Sequence, residues 1–310
     1  MPLPTDAEVQ RAAELIRQGG LVAFPTETVY GLGANALDAD AVRRIFEAKR
    51  RPWASPLIVH VSDEAMARAV TAEWPAMARH LARQFWPGPL TIVVKKAPVV
   101  PDVVTANLDS VGVRMPSHPL ALQLIRAAGV PVAAPSANQF SGISPTRAEH
   151  VKQSLGDRVD LILDGGPTTV GIESTVVSLH RKPPVVLRPG MITKEQVEQV
   201  TGVRFENEVN LPEIVESPDQ QARHYAPRTP FLLLDRGAEA PAGRGRFLVL
   251  SQNPKEFAAS LYAELHKADG EGLDWIAIEQ PPGTPEWIGI LDRLRRATHD
   301  GAARKAQRAP

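Results

Sequence analysis

The chain has 310 residues, 35 of them basic and 35 acidic, so its formal net charge is zero. That balance excludes whole-surface attraction to nucleic acid or anionic membrane and leaves only local patches for such contacts. With no cysteine, it has no disulfide, zinc-thiolate site or thiol nucleophile.

The first helix is announced by Thr5 and Glu8, a capping-box pair, followed by Val9, Ala12, Ala13 and Ile16 at helical spacing and stopped by Gly19 and Gly20. The N-terminus lacks a basic region leading into an apolar core, and no apolar run approaches the roughly 20 residues of a membrane span, so a cytoplasmic protein is expected. Leu21 to Phe24 read as a short buried strand ended by Pro25. Asp40 can cap a second helix with Val42, Ile45 and Phe46 on one face, and Pro52 forces its end near Arg51. LIVHV, LTIVV, SVGVRM, VPVAA, VDLILD, STVVSL and PPVVL then read as strands, with helices at 63–70, 75–85, 119–128, 145–154 and 193–201. Several strands follow one another without a helix between them, which predicts a mixed, twisted α/β sheet. From about Gly202 the chain turns polar and proline-bearing, as a linker does. FLLLD, RFLVLS and DWIAIE, alternating with helices near 254–268 and 286–299, predict a second, small α/β unit. The expected division is 1–204, linker 205–230, and 231–310.

Gly31-x-Gly33-x-x-Ala36 matches a relaxed dinucleotide fingerprint, but no strand runs straight into the first glycine and helix signals wait until Asp40. Pro25-Thr-Glu-Thr reads instead as a hydroxyl-rich bend whose threonines cap backbone groups. Lys49, Arg50 and Arg51 stand in a helix's last turn, which complements its dipole, yet Pro52 to Pro56 also fix their direction at a strand mouth. His60 lies within the next strand, on the face opposite Leu57, Val59 and Val61. Arg114 and Arg188 each end an apolar strand before a proline, and Ser136, Asn138, Ser141, Ser144 and Ser174 stand at strand ends. Each has a plain reading as turn or cap; together they describe a crevice for an anionic ligand.

Seven segments (PTETVYGLGA, FEAKRRPWASPLIVHV, WPGPLTIV, VGVRMPSHP, APSANQFSGISPT, GIESTVV and VLRPG) occur in family order over most of residues 10–200. There the sequence resembles the threonylcarbamoyl-adenylate synthases with their YrdC-like catalytic domain. RHYAP and GILDRLRRA resemble the longer, two-domain form, which implies a Rossmann-like C-terminal unit. The resemblance implies synthesis of threonylcarbamoyl-AMP and pyrophosphate from ATP, bicarbonate and L-threonine, with Mg2+ carried on ATP, for threonylcarbamoyl-adenosine modification of tRNA. It implies a downstream tRNA threonylcarbamoyl transferase as a transient partner. By motif position, Thr28, His60, Arg114, Ala134 and Ser174 would line a threonine pocket, with Arg114 taking the carboxylate bidentately. Arg51, Ser55, Ser110, Ser136, Ser144 and Arg188 would hold ATP, with Lys49 helping to neutralise its phosphates. His224 and Tyr225 would fold back over the nucleotide as a lid, while Arg50 would face solvent.

Two departures from the family pattern are visible. Arg50 and Ser55 replace a common glycine and asparagine in K-G-R-P-x-x-N-P, and SPDQQARHYAP lacks the glycine, methionine, lysine and first tyrosine of the usual linker. The rival reading is a YrdC-like module that binds structured RNA without making an adenylate. The scattered arginines argue against it, since phosphate-backbone binding shows a basic stripe.

Overall fold

In the computed structural model, which describes residues 3–207, 224–239 and 241–298, the first unit alternates as the sequence suggests. It comprises α1 (Asp6–Arg17), β1 (Val22–Pro25), β2 (Tyr30–Asn35), α2 (Ala39–Lys49), β3 (Ile58–His60), α3 (Glu64–Ala69), α4 (Ala76–Phe85) and β4 (Leu90–Lys95). There follow α5 (Asp102–Thr105), β5 (Ser110–Arg114), α6 (Pro119–Ala128), β6 (Val132–Ala133) and α7 (Ala148–Leu155). β7 (Leu161–Ile162), β8 (Thr175–Ser178), β9 (Val185–Arg188), α8 (Lys194–Thr201) and β10 (Glu206–Asn207) complete it. The second unit holds β11 (Phe231–Leu234), β12 (Gly245–Leu248), α9 (Pro254–Asp269), β13 (Trp275–Glu279) and α10 (Ile288–Ala297).

Thr5 closes the capping box on α1: its Oγ accepts from the Glu8 N–H at 3.3 Å, and the Glu8 carboxylate accepts from the Thr5 N–H at 2.8 Å. Val9, Ala12, Ala13 and Ile16 then bury against α6, sharing a core with Leu124 and Ile125. The large sheet runs β10-β9-β8-β4-β5-β3-β6-β2-β1-β7 and is mixed: β3 and β5 are parallel, while β4 and β5 are antiparallel. Its inner strands are buried on both faces, so they read as near-continuous apolar runs, while the edge strands β7 and β10 are half-buried and exposed. The second sheet is wholly parallel, with β13 between β11 and β12. Among the described residues, no helix is long and apolar enough to cross a membrane.

Four local expectations are corrected. The segment after PTET is a strand, β2, absent from the strands expected from the sequence. A Cβ at Gly33 would lie 2.7 Å from the Phe24 ring and 2.8 Å from Val132, so glycine here admits an aromatic ring and a neighbouring strand. α7 starts at Ala148 rather than 145, because Pro145 and Thr146 offer their carbonyls to the Tyr30 and Thr168 N–H groups at 2.8 and 3.1 Å. α2 is capped by Asp38, not Asp40, and stops at Lys49, with Arg50 in the left-handed region at φ 52°. That reversal leaves Arg50 exposed and turns Arg51 back under cover, its N–H bonded to Phe46 O at 2.9 Å. Beyond Gly202 the chain first adds β10 to the sheet edge beside β9. The SPDQQAR stretch at 217–223 lies outside the described residues, as does the last residue of the helix expected at 286–299.

The two units share one core: Val29 and Ile143 of the first pack with Tyr225, Phe257, Leu261 and Trp287.

Candidate active site

Thr28, His60, Arg114, Ala134, Ser136 and Arg188 all line one cavity between the strand ends, together with Thr26, Gly31, Ile58 and Glu173. A larger cavity of about 460 Å³ opens at the carboxyl ends of the second unit's strands, between Phe247, Phe257 and Trp287, but neither Arg114 nor Arg188 reaches it. The strand-end chemistry therefore belongs to the first cavity.

At one pole of it, Thr26 builds the bend the sequence suggested. Its Oγ donates to Val29 O at 2.7 Å and accepts from the Val29 N–H at 3.2 Å, which sets Thr28 Oγ 2.8 Å away. Arg114 arrives from the end of β5. Its Nη2 donates to Glu27 Oε1 at 2.7 Å and to Thr28 Oγ at 3.0 Å, and its Nε donates to Gly88 O at 3.3 Å. Glu27, which sequence reasoning missed, accepts the Ser117 N–H on its other oxygen at 3.0 Å. Both charges are 4% exposed, so the pair is almost fully desolvated. Among the described residues Nη1 of Arg114 makes no hydrogen bond, and it is the edge left for a ligand. A bidentate grip on a carboxylate would displace Glu27 or Thr28; a grip through Nη1 would not.

His60 is buried beside this pair, with the Phe24 ring edge-on at 6.2 Å and its Nδ1 unpartnered among the described residues. Burial, then the charge of Arg114, pushes its pKa down from 6.5 to about 3. The ring is neutral at physiological pH and can accept a hydrogen bond. The unfolded chain protonates this group near 6.5, so its stability contribution is intact above that pH and declines as pH falls towards 3. At pH 5 the loss is about 2 kcal/mol. Melting temperatures followed from pH 7 to 5 are expected to fall less steeply for His60→Gln than for the parent; parallel slopes would refute the assignment.

Lys49 and Arg51 do not line the cavity themselves; behind the Ser136 loop, Lys49 is 1% exposed and its ammonium donates to the carbonyls of Ser136 and Asn138. It therefore ties down the loop that carries Ser136, as well as placing positive charge beneath it. The Arg51 guanidinium lies 5.5 Å over Phe140, whose ring meets His224 edge-on at 5.5 Å. Arg188 folds over Ser174, donating from Nε to its carbonyl and from Nη2 to its Oγ, both at 3.1 Å. Ser174 is thus a support for Arg188 that also meets Thr91 Oγ at 2.8 Å.

Besides Ser174, three predicted hydroxyls stand off the cavity. Ser110 lines a separate small recess with Pro56 and Thr91. Ser55 is buried in the turn after Pro52, where its N–H bonds Pro52 O at 3.2 Å. Ser144 Oγ donates to Glu173 Oε1. Tyr225, expected in a lid, is fully buried in the core the two units share, stacked 6.0 Å from Tyr262 and beneath Arg293. Its φ of 61° is costly for a bulky residue and is held by this packing. Ala226 N–H bonds Ser141 O and His224 N–H bonds Arg296 O, both at 3.0 Å, so His224 to Ala226 strap the two units together.

Residues 14–190 match the family model described as "Telomere recombination", and residues 192–299 match "Threonylcarbamoyl-AMP synthase, C-terminal domain". A threonylcarbamoyl-AMP synthase of Bacillus subtilis is 42% identical over 94% of this chain and 93% of its own, and one of Pyrococcus abyssi 40% identical over 94% of each. The chain belongs to the threonylcarbamoyl-AMP synthase family. The P. abyssi Sua5 structure solved with L-threonine matches this synthase fold with a TM-score of 0.89 at 38% identity, over 96% of both chains. A HypF structure, 22% identical with a TM-score of 0.51 over 60% of this chain, shares the fold alone.

Proposed function

We propose that this synthase joins L-threonine, bicarbonate and ATP into threonylcarbamoyl-AMP and pyrophosphate in the cytoplasm, and that a downstream transferase passes the threonylcarbamoyl group to tRNA. The observation that carries the reading is the convergence of Thr28, His60, Arg114 and Ala134 with Ser136 and Arg188 on one cavity. Threonine's amine and bicarbonate give a carbamate with loss of water. A carbamate oxygen then attacks the α-phosphorus of ATP and pyrophosphate leaves. Little acid–base chemistry is demanded; positioning and charge neutralisation dominate such a transfer.

Arg114 Nη1 takes the threonine carboxylate, and Thr28 with the neutral His60 faces its amine and hydroxyl without adding positive charge. Arg51 and Arg188 neutralise the phosphates, and Lys49 supports them by holding the Ser136 loop. Magnesium enters on ATP as part of the substrate. Glu27 and Glu173 are each held by a guanidinium, and the described residues offer no cluster of three acids or histidines as a resident site.

The test is pyrophosphate release from ATP with L-threonine and bicarbonate supplied together, singly or not at all. Release is expected only with both. Salt-sensitive tRNA binding without any pyrophosphate release would replace this reading by the RNA-binding one.

A further inference from the structure

Arg293, on α10 of the second unit, is fully buried (0% exposed), yet no substrate-facing role requires a charge there. Its guanidinium reaches two loops of the first unit at once. Nε donates to Glu173 Oε2 at 2.8 Å, Nη2 to the Glu173 carbonyl at 3.2 Å, and Nη1 to the Pro189 carbonyl at 2.8 Å. One loop runs into β8 and carries Ser174; the other leaves β9 just after Arg188. Glu173 extends the link, accepting from Ser144 Oγ on one oxygen and from Tyr262 Oη of α9 on the other, the latter at 3.1 Å. Asp292 completes the surroundings of Arg293, accepting from Nη1 at 2.7 Å.

Backbone packing points the same way. A Cβ at Gly289 of α10 would stand 2.7 Å from the Gly190 carbonyl oxygen, and one at Gly171 would stand 2.2 Å from the Ala258 carbonyl oxygen of α9. Both helices of the second unit therefore touch these loops backbone to backbone, where any side chain would force them apart. A further bond runs from His266 Nε2 to Ser144 O at 3.1 Å, so the second unit also holds the loop of Ser144.

We propose that Arg293 is a positioning residue for the nucleotide half of the site, and that the second unit acts as a template setting the loops of Ser144, Ser174 and Arg188 at the separation ATP requires. The proposal rests on the synthase reading above. It gives the C-terminal unit an indirect part in ATP binding, through the loops that Arg293 holds. A guanidinium suits the task because its rigid fork meets three acceptors on the two loops in fixed directions, which an ammonium cannot reproduce.

Arg293→Lys keeps the charge and removes the fork. Dissociation constants for ATP and for L-threonine are measured separately by calorimetry on the full chain. ATP is expected to weaken at least tenfold, with threonine within threefold, because Thr28, His60, Arg114 and Ala134 stand on other elements, and Ser174, expected in the threonine pocket, bonds Arg188 and does not line the cavity. Gly289→Ala, which leaves Arg293 in place but lifts α10 from Gly190, is expected to show the same asymmetry and covers the case in which the lysine variant does not fold. An ATP affinity within twofold of the parent in a folded variant would overturn the proposal, and so would equal losses for both substrates, the mark of a merely structural role. A parent protein that binds no ATP would instead remove the synthase reading and the proposal with it.

Discussion

Arg114→Ala is expected to cost L-threonine binding and stability together, while ATP binding changes little in whatever protein remains folded. The variant leaves the Glu27 carboxylate buried without its guanidinium, and breaking a pair of this kind costs roughly 3–5 kcal/mol. Losing a charge-assisted anchor for the substrate carboxylate adds about 2–4 kcal/mol in the reacting complex, on the scale of removing one aimed donor. A single variant cannot separate the two effects, so the decisive protein is Glu27→Gln with Arg114→Met. Replacing both members of a buried pair by uncharged groups is often neutral for stability. The double variant is therefore expected to recover most of the melting temperature and none of the threonine affinity. Recovery of both would show that Arg114 serves only to hold Glu27.

The same pair shows what the sequence disclosed and what it withheld. Arg114, His60 and Arg188 could be singled out because each polar group ends or interrupts an apolar strand, though each alone also has a plain structural reading and only the set pointed to a crevice. Glu27 was not, since its meaning lies in a partner 87 residues away. Glu173 and Arg293, separated by 120 residues, were hidden for the same reason: each looks like one more charge until the fold buries both. β2 was hidden differently. Gly31 and Gly33 look like turn residues, and only the Phe24 ring and β6 pressing against them explain glycine inside a strand. In RHYAP, the sequence marked His224 and Tyr225 as important but not the direction they face. Tyr225 packs inward, among Tyr262, Arg293 and His224, because that is where the second unit's core needs an aromatic ring.

Lys49→Met is expected to lower the rate of pyrophosphate release at least a hundredfold, about 2.7 kcal/mol in the barrier, with the threonine dissociation constant within threefold of the parent. The side chain that replaces Lys49 is apolar and near its length, so packing around α2 survives. What is lost is the ammonium between the Ser136 and Asn138 carbonyls, which would then be buried without that donor. The loop they belong to carries Ser136 into the cavity and Phe140 beneath Arg51, so its shift moves two phosphate-side contacts together. The Arg114 anchor of the threonine pole stands on β5 and the Thr26 bend; this loop meets that side only beyond the bend, where the Ala137 N–H bonds Tyr30 O at 2.8 Å. Lys49→Arg is expected to fail almost as badly: the wider guanidinium must fit a buried slot at the end of α2 sized for an ammonium between two carbonyls. Kinetics of both variants with saturating threonine and varied ATP would decide the matter. A methionine variant that kept its turnover number and its KM for ATP would remove Lys49 from the nucleotide side of the mechanism altogether.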